Sequence, residues 1–226
     1  MRSAVAAFIL PALALAAPLD NPALNGPGIG TEAWADQPDP KEIQIIATRF
    51  SGSGCPQNSV STSISPDKTV VTFGFDQFQT YIGPGVSPTL KSKNCQLHLT
   101  LKYPSGFQFA VLDSTYHGYA QLDQGVTGTF YSTYYFSQDA QATTTTQTSI
   151  QGGGIWAGGQ VYTKNDKIPT ASYIWSPCGA NGILNINNRI ALTSTNSTAS
   201  GEVTNDDATI GLGQQLNVKL NWKQCK

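Results

Sequence analysis

Charge is scarce in this chain. Of 226 residues, 13 are basic and 14 acidic, a net charge of −1, and no basic cluster occurs. That balance excludes nucleic acid and anionic membrane surfaces as partners, because both are held through concentrated positive charge. Histidine occurs only as His98 and His117. A zinc centre takes several His, Cys or carboxylate ligands converging on one ion. These two histidines with Asp113 or Asp123 would be the whole supply, so no metal and no cofactor is expected. The Gly-x-Ser-x-Gly elbow of serine hydrolases and the Cys-x-x-Cys pair are both missing. No apolar stretch approaches the roughly 20 residues that span a bilayer. No segment shows the period of an amphipathic helix.

What is present begins with an export leader. Arg2, the apolar run 4–13 and the small-x-small site Ala14-Leu15-Ala16 make residues 1–16 a secretory signal peptide. The mature chain then starts at Ala17 or Pro18 and carries −2, since Arg2 leaves with the leader. Residues 17–40 turn to Pro, Gly, Asn and Asp without hydrophobic period, which reads as a linker. Residues 41–226 are long enough for one domain. The expected location is extracellular or in a cell wall.

Residues 95–102 alternate apolar and polar at every step, the mark of a strand with one buried face. Similar runs occupy 107–111, 116–122 and 126–136, parted by short breaks such as Pro104-Ser105-Gly106. Four such strands in succession read as an antiparallel meander, since parallel partners need long crossovers. Further strands are expected at 43–50, 69–75, 77–82, 159–163, 171–175, 183–192, 200–204 and 216–222. The tract 143–148 is either an edge strand or a carrier of O-glycans. Many short strands among frequent Gly, Pro and Asn predict an all-β, antiparallel sandwich of one domain.

If Leu97, Phe109, Leu122 and Phe130 point into the core, then His98, His117, Tyr119, Tyr131 and Tyr135 point out of it. On one meander these would share a face. Trp156, between Gly152-Gly153-Gly154 and Gly158-Gly159, is expected to be exposed, while Trp175 and Trp222 read as core. Tyr119, Tyr131, Tyr135, Trp156, His98 and His117 are the candidate ligand-binding residues. Flat aromatic rings beside polar groups suit sugars.

Four cysteines, Cys55, Cys95, Cys178 and Cys225, lack metal-ligand spacing and follow an export signal, so disulfides are expected. Of three possible pairings, Cys55–Cys95 and Cys178–Cys225 is favoured, one tie in each half. Asn196-Ser197-Thr198 is the one N-glycosylation sequon.

Gly54-Cys55-Pro56, Ile64-Ser65-Pro66-Asp67, Lys93-Asn94-Cys95-Gln96-Leu97 and Tyr103-Pro104-Ser105-Gly106 together resemble the domain of unknown function 4360 family. The resemblance covers about residues 43–225. It implies a small exported protein, mostly of filamentous fungi, with a β-rich domain and paired cysteines. It implies no activity and no catalytic residue.

Glycoside hydrolysis would need two carboxyls about 5 Å apart for retention, or roughly 6.5–9.5 Å for inversion. The candidates within the domain are Glu42, Asp67, Asp76, Asp113, Asp123, Asp139, Asp166, Glu202, Asp206 and Asp207, most of them in turns, where Asp caps its own backbone. Asp76 and Asp113, beside apolar strands, are the least ordinary, and Asn205-Asp206-Asp207 reads as an exposed acidic turn. The resulting expectation is a secreted, non-catalytic protein that binds extracellular or cell-wall carbohydrate through an aromatic and polar face. The alternatives are a glycosidase or lyase, or a structural wall protein or effector that binds a host or wall protein.

Overall fold

The computed structural model describes residues 38–179, 181–204 and 214–225. The leader and linker expected up to residue 37 and the acidic turn expected at Asn205-Asp206-Asp207 lie outside them. The fold is an all-β antiparallel sandwich. One sheet runs in the order β1 (Gln44–Ser51), β5 (Ser92–Lys102), β10 (Gly182–Ser194), β7 (Val126–Phe136) and β8 (Asp139–Gln151). The other runs β2 (Val60–Ile64), β3 (Val70–Phe75), β12 (Gln214–Gln224), β6 (Phe107–Leu122), β11 (Gly201–Thr204) and β4 (Thr80–Ile82), with β9 (Gln160–Lys167) on the far edge of β6.

The alternation holds and the meander does not. β5, β6 and β7 follow one another in sequence, yet β6 belongs to the opposite sheet. The breaks at 103–106 and 123–125 are therefore arches that carry the chain across the core. Alternation states which side chains are buried and leaves the pairing partner open. Facing sheets and a single sheet satisfy it equally.

The two runs 107–111 and 116–122 are one strand. Lys219 pairs with Asp113 and Leu220 with Val111, so Leu112 is the extra residue of a β-bulge. Before it Phe109 and Val111 point inward; after it Ser114, Tyr116, Ala120 and Leu122 do. The phase change is what makes one strand read as two. Residues 171–175 are not a strand: Pro169 opens a 3-10 turn, Thr170–Ser172. The tract 143–148 lies in β8, an edge strand.

Inward side chains of both sheets form the core. Leu97, Phe109, Leu122 and Phe130 are all buried. Phe109 meets Phe136 of the facing sheet edge-on, with centroids 5.3 Å apart, and it also touches Tyr103 and Trp222. Such ring pairs add about 0.5–1.5 kcal/mol each beyond their area burial. Trp222 is core, whereas Trp175 is half-buried under the Lys223 ammonium, 3.6 Å from the ring centroid. Hydroxyls also cross between the sheets. The Tyr134 phenol meets Ser114, the Tyr116 phenol meets Ser132, and Ser132 donates to Asn188 Oδ1 at 2.7 Å.

Two disulfides tie the chain, Cys55–Cys95 and Cys178–Cys225. The first anchors the loop after β1 to β5, where Gly54 N–H also donates to the Asn94 carbonyl at 2.8 Å. The second fastens the end of β12, where Cys225 N–H donates to the Gly106 carbonyl at 2.7 Å. Its cysteines are 47 residues apart. Replacing both Cys178 and Cys225 by Ala should cost about 4 kcal/mol by loop-closure entropy. A urea unfolding curve of the double variant should shift its midpoint accordingly, and an unmoved midpoint would contradict the stapling role.

Candidate functional site

The sandwich divides the six candidate residues between two opposite surfaces. Tyr131, Tyr135 and His98 stand on the outer face of the β1-β5-β10-β7-β8 sheet. One row of that face runs Arg49, His98, Asn185, Tyr135 and Thr143 across five strands. His98 Nδ1 lies 2.5 Å from Asn185 Oδ1, and Asn185 Nδ2 donates to Ser137 Oγ at 2.8 Å. The Arg189 guanidinium stacks on Tyr131, 4.4 Å from the ring centroid, and so occupies one side of that ring. Thr133 and Thr145, Thr129 and Ser149, and Thr127 and Gln151 bond across β7 and β8. Many polar groups of this face are already committed to one another.

Tyr119 and His117 belong to β6 and face outward from the other sheet. The expected single aromatic face is thereby corrected, for the physical reason that undid the meander. His117 Nδ1 lies 3.0 Å from Thr163 Oγ1 of β9. Since His98 and His117 stand on different sheets with the core between them, they cannot share a metal. Among the described residues no three His, Cys, Asp or Glu side chains gather.

Trp156 lies in the 3-10 turn Gly154–Gly158 and is half-buried against the core, so its expected exposure is also corrected. Ile155 beside it is the exposed one, at 68%. The turn reaches β6 through Gly159, whose φ of +80° suits glycine, and a Cβ at that position would fall 1.8 Å from the Tyr119 hydroxyl. Tyr119 and the Trp156 turn are thus neighbours.

Above Tyr119 the outer surface becomes concave. Register places Tyr81, Glu202 and Gln121 side by side on β4, β11 and β6. With Asp123, Ser200 and Val86 they line a cavity of about 330 Å³. Asp123 Oδ2 accepts from Ser200 N–H at 2.8 Å, which fixes the carboxylate at the rim. Tyr119 donates to Gln121 Oε1 at 3.1 Å, and Tyr81 to Gln79 Oε1 at 2.8 Å, so both rings are held in place. One aromatic wall, one amide and two carboxylates therefore converge on a hollow of ligand size.

Sequence reasoning misses Tyr81 and Gln121, and offers Asp123 and Glu202 only as two of the acidic residues open to a glycosidase. In Phe78-Gln79-Thr80-Tyr81-Ile82 the two-residue period puts Tyr81 on the face opposite Phe78 and Ile82, but nothing local joins residues 81, 121 and 202. Asp76 and Asp113 do not come together in this hollow. Asp76 is exposed just past β3, and Asp113 lines a separate hollow of about 400 Å³ with Lys167. Asn196 is exposed, its Oδ1 accepting from Thr198 N–H and Oγ1 at 3.0 and 2.9 Å.

The family model described as "Domain of unknown function (DUF4360)" matches residues 41–225. A curated relative from Arthroderma benhamiae, named "Uncharacterized secreted protein", is 41% identical over 208 residues, covering 91% of this chain and 78% of that protein. Among solved structures, TmCBM61 in complex with beta-1,4-galactotriose is 10% identical, covers 80% of this chain and 91% of its own, and has a TM-score of 0.22. The family 11 carbohydrate-binding module from Clostridium thermocellum, in complex with a beta-1,3-1,4-mixed-linked tetrasaccharide, is 11% identical over 80% and 90%, with a TM-score of 0.26. Neither superposition is close enough to bear on fold or ligand.

Gly159→Ala tests whether the turn and Tyr119 are coupled. The new Cβ requires both a strained positive φ and displacement of the phenol, so a loss of about 1–3 kcal/mol is expected. A melting curve unchanged from the parent protein would show the two to be independent.

Proposed function

The chain belongs to the DUF4360 family, and from that premise we propose that it is an exported protein that binds carbohydrate in the cleft formed by Tyr81, Gln121, Asp123 and Glu202. The observation that carries this reading is the convergence of those side chains on one cavity of about 330 Å³. A sugar ring offers C–H faces that pack on an aromatic wall, and hydroxyls that donate to carboxylates and amides. Tyr119, beside Gln121, would extend the contact to the next residue of a polymer. The scarcity of charge suits a neutral polysaccharide. In this reading residues 1–16 are the leader, 17–40 a linker and 41–226 the binding domain, acting outside the cell or in its wall. The relative's name and the two disulfides support export.

A second reading is favoured by one feature of the same cavity, the presence of two carboxylates. Asp123 and Glu202 are the pair that a glycosidase would use as acid and as base or nucleophile.

The test is retention of the mature protein on insoluble chitin, β-glucan, cellulose and xylan, with soluble sugar assayed in the same tubes. Tyr81→Ala and Tyr119→Ala should weaken retention roughly three- to tenfold, the scale of one aromatic contact. Tyr131→Ala and Tyr135→Ala, on the opposite surface, should leave it unchanged. The reverse pattern would move the site to the other sheet. Released sugar that disappears in Glu202→Gln would establish the hydrolase. Neither retention nor product on any polymer would overturn both and leave a structural or protein-binding role.

A further inference from the structure

Where the two sheets end side by side, strands β8 and β9 face each other without pairing, each bonded only to its inner neighbour. Their inward side chains are unusually polar for a sandwich interior. Asp166 of β9 is only 4% exposed. Among the described residues neither of its carboxyl oxygens has a hydrogen-bond partner, nor do the buried hydroxyls of Thr146 and Thr148 on β8 or of Tyr162 on β9. Each such orphaned group ordinarily costs about 1–3 kcal/mol, and more where it is charged. Natural interiors rarely leave several together.

The surroundings of Asp166 come from four strands. From β9 itself, Lys164 is half-buried, with its ammonium 5.5 Å from the centre of the Phe130 ring. From β6, Ser114 is its register partner and Tyr116 feels its charge. From β7, the buried Tyr134 does the same. From β8 the hydroxyls of Thr146 and Thr148 face the carboxyl, near enough to favour its charged form yet outside hydrogen-bond geometry. Among the described residues Lys164 is therefore the one cationic group acting on the carboxyl, and it acts through its field rather than through a hydrogen bond.

We propose that this seam is a pH-sensitive latch. Protonated Asp166 donates to a threonine hydroxyl and lets β8 and β9 close on each other; ionised Asp166 draws water between them and loosens the edge of the sandwich. The carboxyl proton is the only one that moves, released to solvent as the seam opens.

Burial disfavours the charged form and pushes the Asp166 carboxyl above its ordinary value, against the opposing pull of Lys164 and the hydroxyls of Thr148 and Thr146. Burial likewise holds Lys164 below its ordinary value. A carboxyl that grips its proton more tightly in the folded chain than in the unfolded one stabilises the fold at low pH. That stabilisation is complete below about 3.8 and is lost as pH rises through the folded value. Each unit between the two values is a tenfold change in the folding constant. Asp67, which Ser65 and Thr69 hold below its ordinary value, changes stability in the opposite sense at lower pH. It is common to the parent protein and any Asp166 variant, so it cancels in their difference.

The experiment is thermal unfolding of the disulfide-intact mature protein and of Asp166→Asn from pH 3.5 to 7.5. The parent melting temperature should fall relative to that of the variant as pH rises through the window. Parallel profiles would overturn the latch. Amide exchange at pH 4.5 and 7, corrected for intrinsic rates, should show added opening confined to β8 and β9; uniform opening across β5 and β10 would also overturn it. Should Asp166→Asn fail to fold, carbon-13 titration of the aspartate carboxyls in the parent protein decides. One carboxyl should titrate clearly above the ordinary aspartate range, and the absence of any such carboxyl would end the proposal.

Discussion

Burial of every second side chain between two facing sheets is the constraint on which the rest of this structure depends. It commits Leu97, Phe130, Ile186 and Phe109 to one interior and leaves their immediate neighbours on two outer surfaces. The edge-on contact of Phe109 with Phe136 is typical of how the sheets hold each other. Because β6 runs through the centre of its sheet, pairing with β12 and β11 on one side and β9 on the other, its register sets which residues of those three strands stand beside one another. The bulge at Leu112 lets one long strand keep its inward set on the core despite the twist of the sheet.

The interior is not uniformly apolar, and its polar residues are placed rather than scattered. Ser114 with Tyr134 and Tyr116 with Ser132 join the two sheets through hydroxyls, and Asn188 accepts from Ser132 within one of them. Such contacts hold the sheets in one relative position, since sliding either would leave buried donors unpaired. Toward β8 and β9 the partners run out, and Asp166 sits where the contacts end. Inward-facing charge at an unpaired edge also discourages that edge from pairing with another chain.

The outer surfaces differ for reasons of pairing. On the β7–β8 side, Thr133 with Thr145, Thr129 with Ser149 and Thr127 with Gln151 bond across the strands. At the other end, the short strands β4 and β11 run beside the end of β6, and the loops around Val86 and Ser200 rise about them. A hollow forms there, with Tyr81, Gln121, Asp123 and Glu202 at its wall.

Much of this was legible in the residues themselves. The alternation of 95–102 and 126–136 identified inward and outward side chains, the turn residues marked most strand ends, and four widely spaced cysteines without metal-ligand spacing called for disulfides. These are local properties, written in each segment by its own side chains and by the two-residue repeat of an extended backbone. The sheet to which each strand belongs is not local. It was decided by which distant segments could bury each other's inner faces, and the arches at 103–106 and 123–125 permit either outcome. Tertiary structure alone therefore separated Tyr119 from Tyr131, brought residues 81, 121 and 202 into one row, and set Asp166 against the threonines of β8.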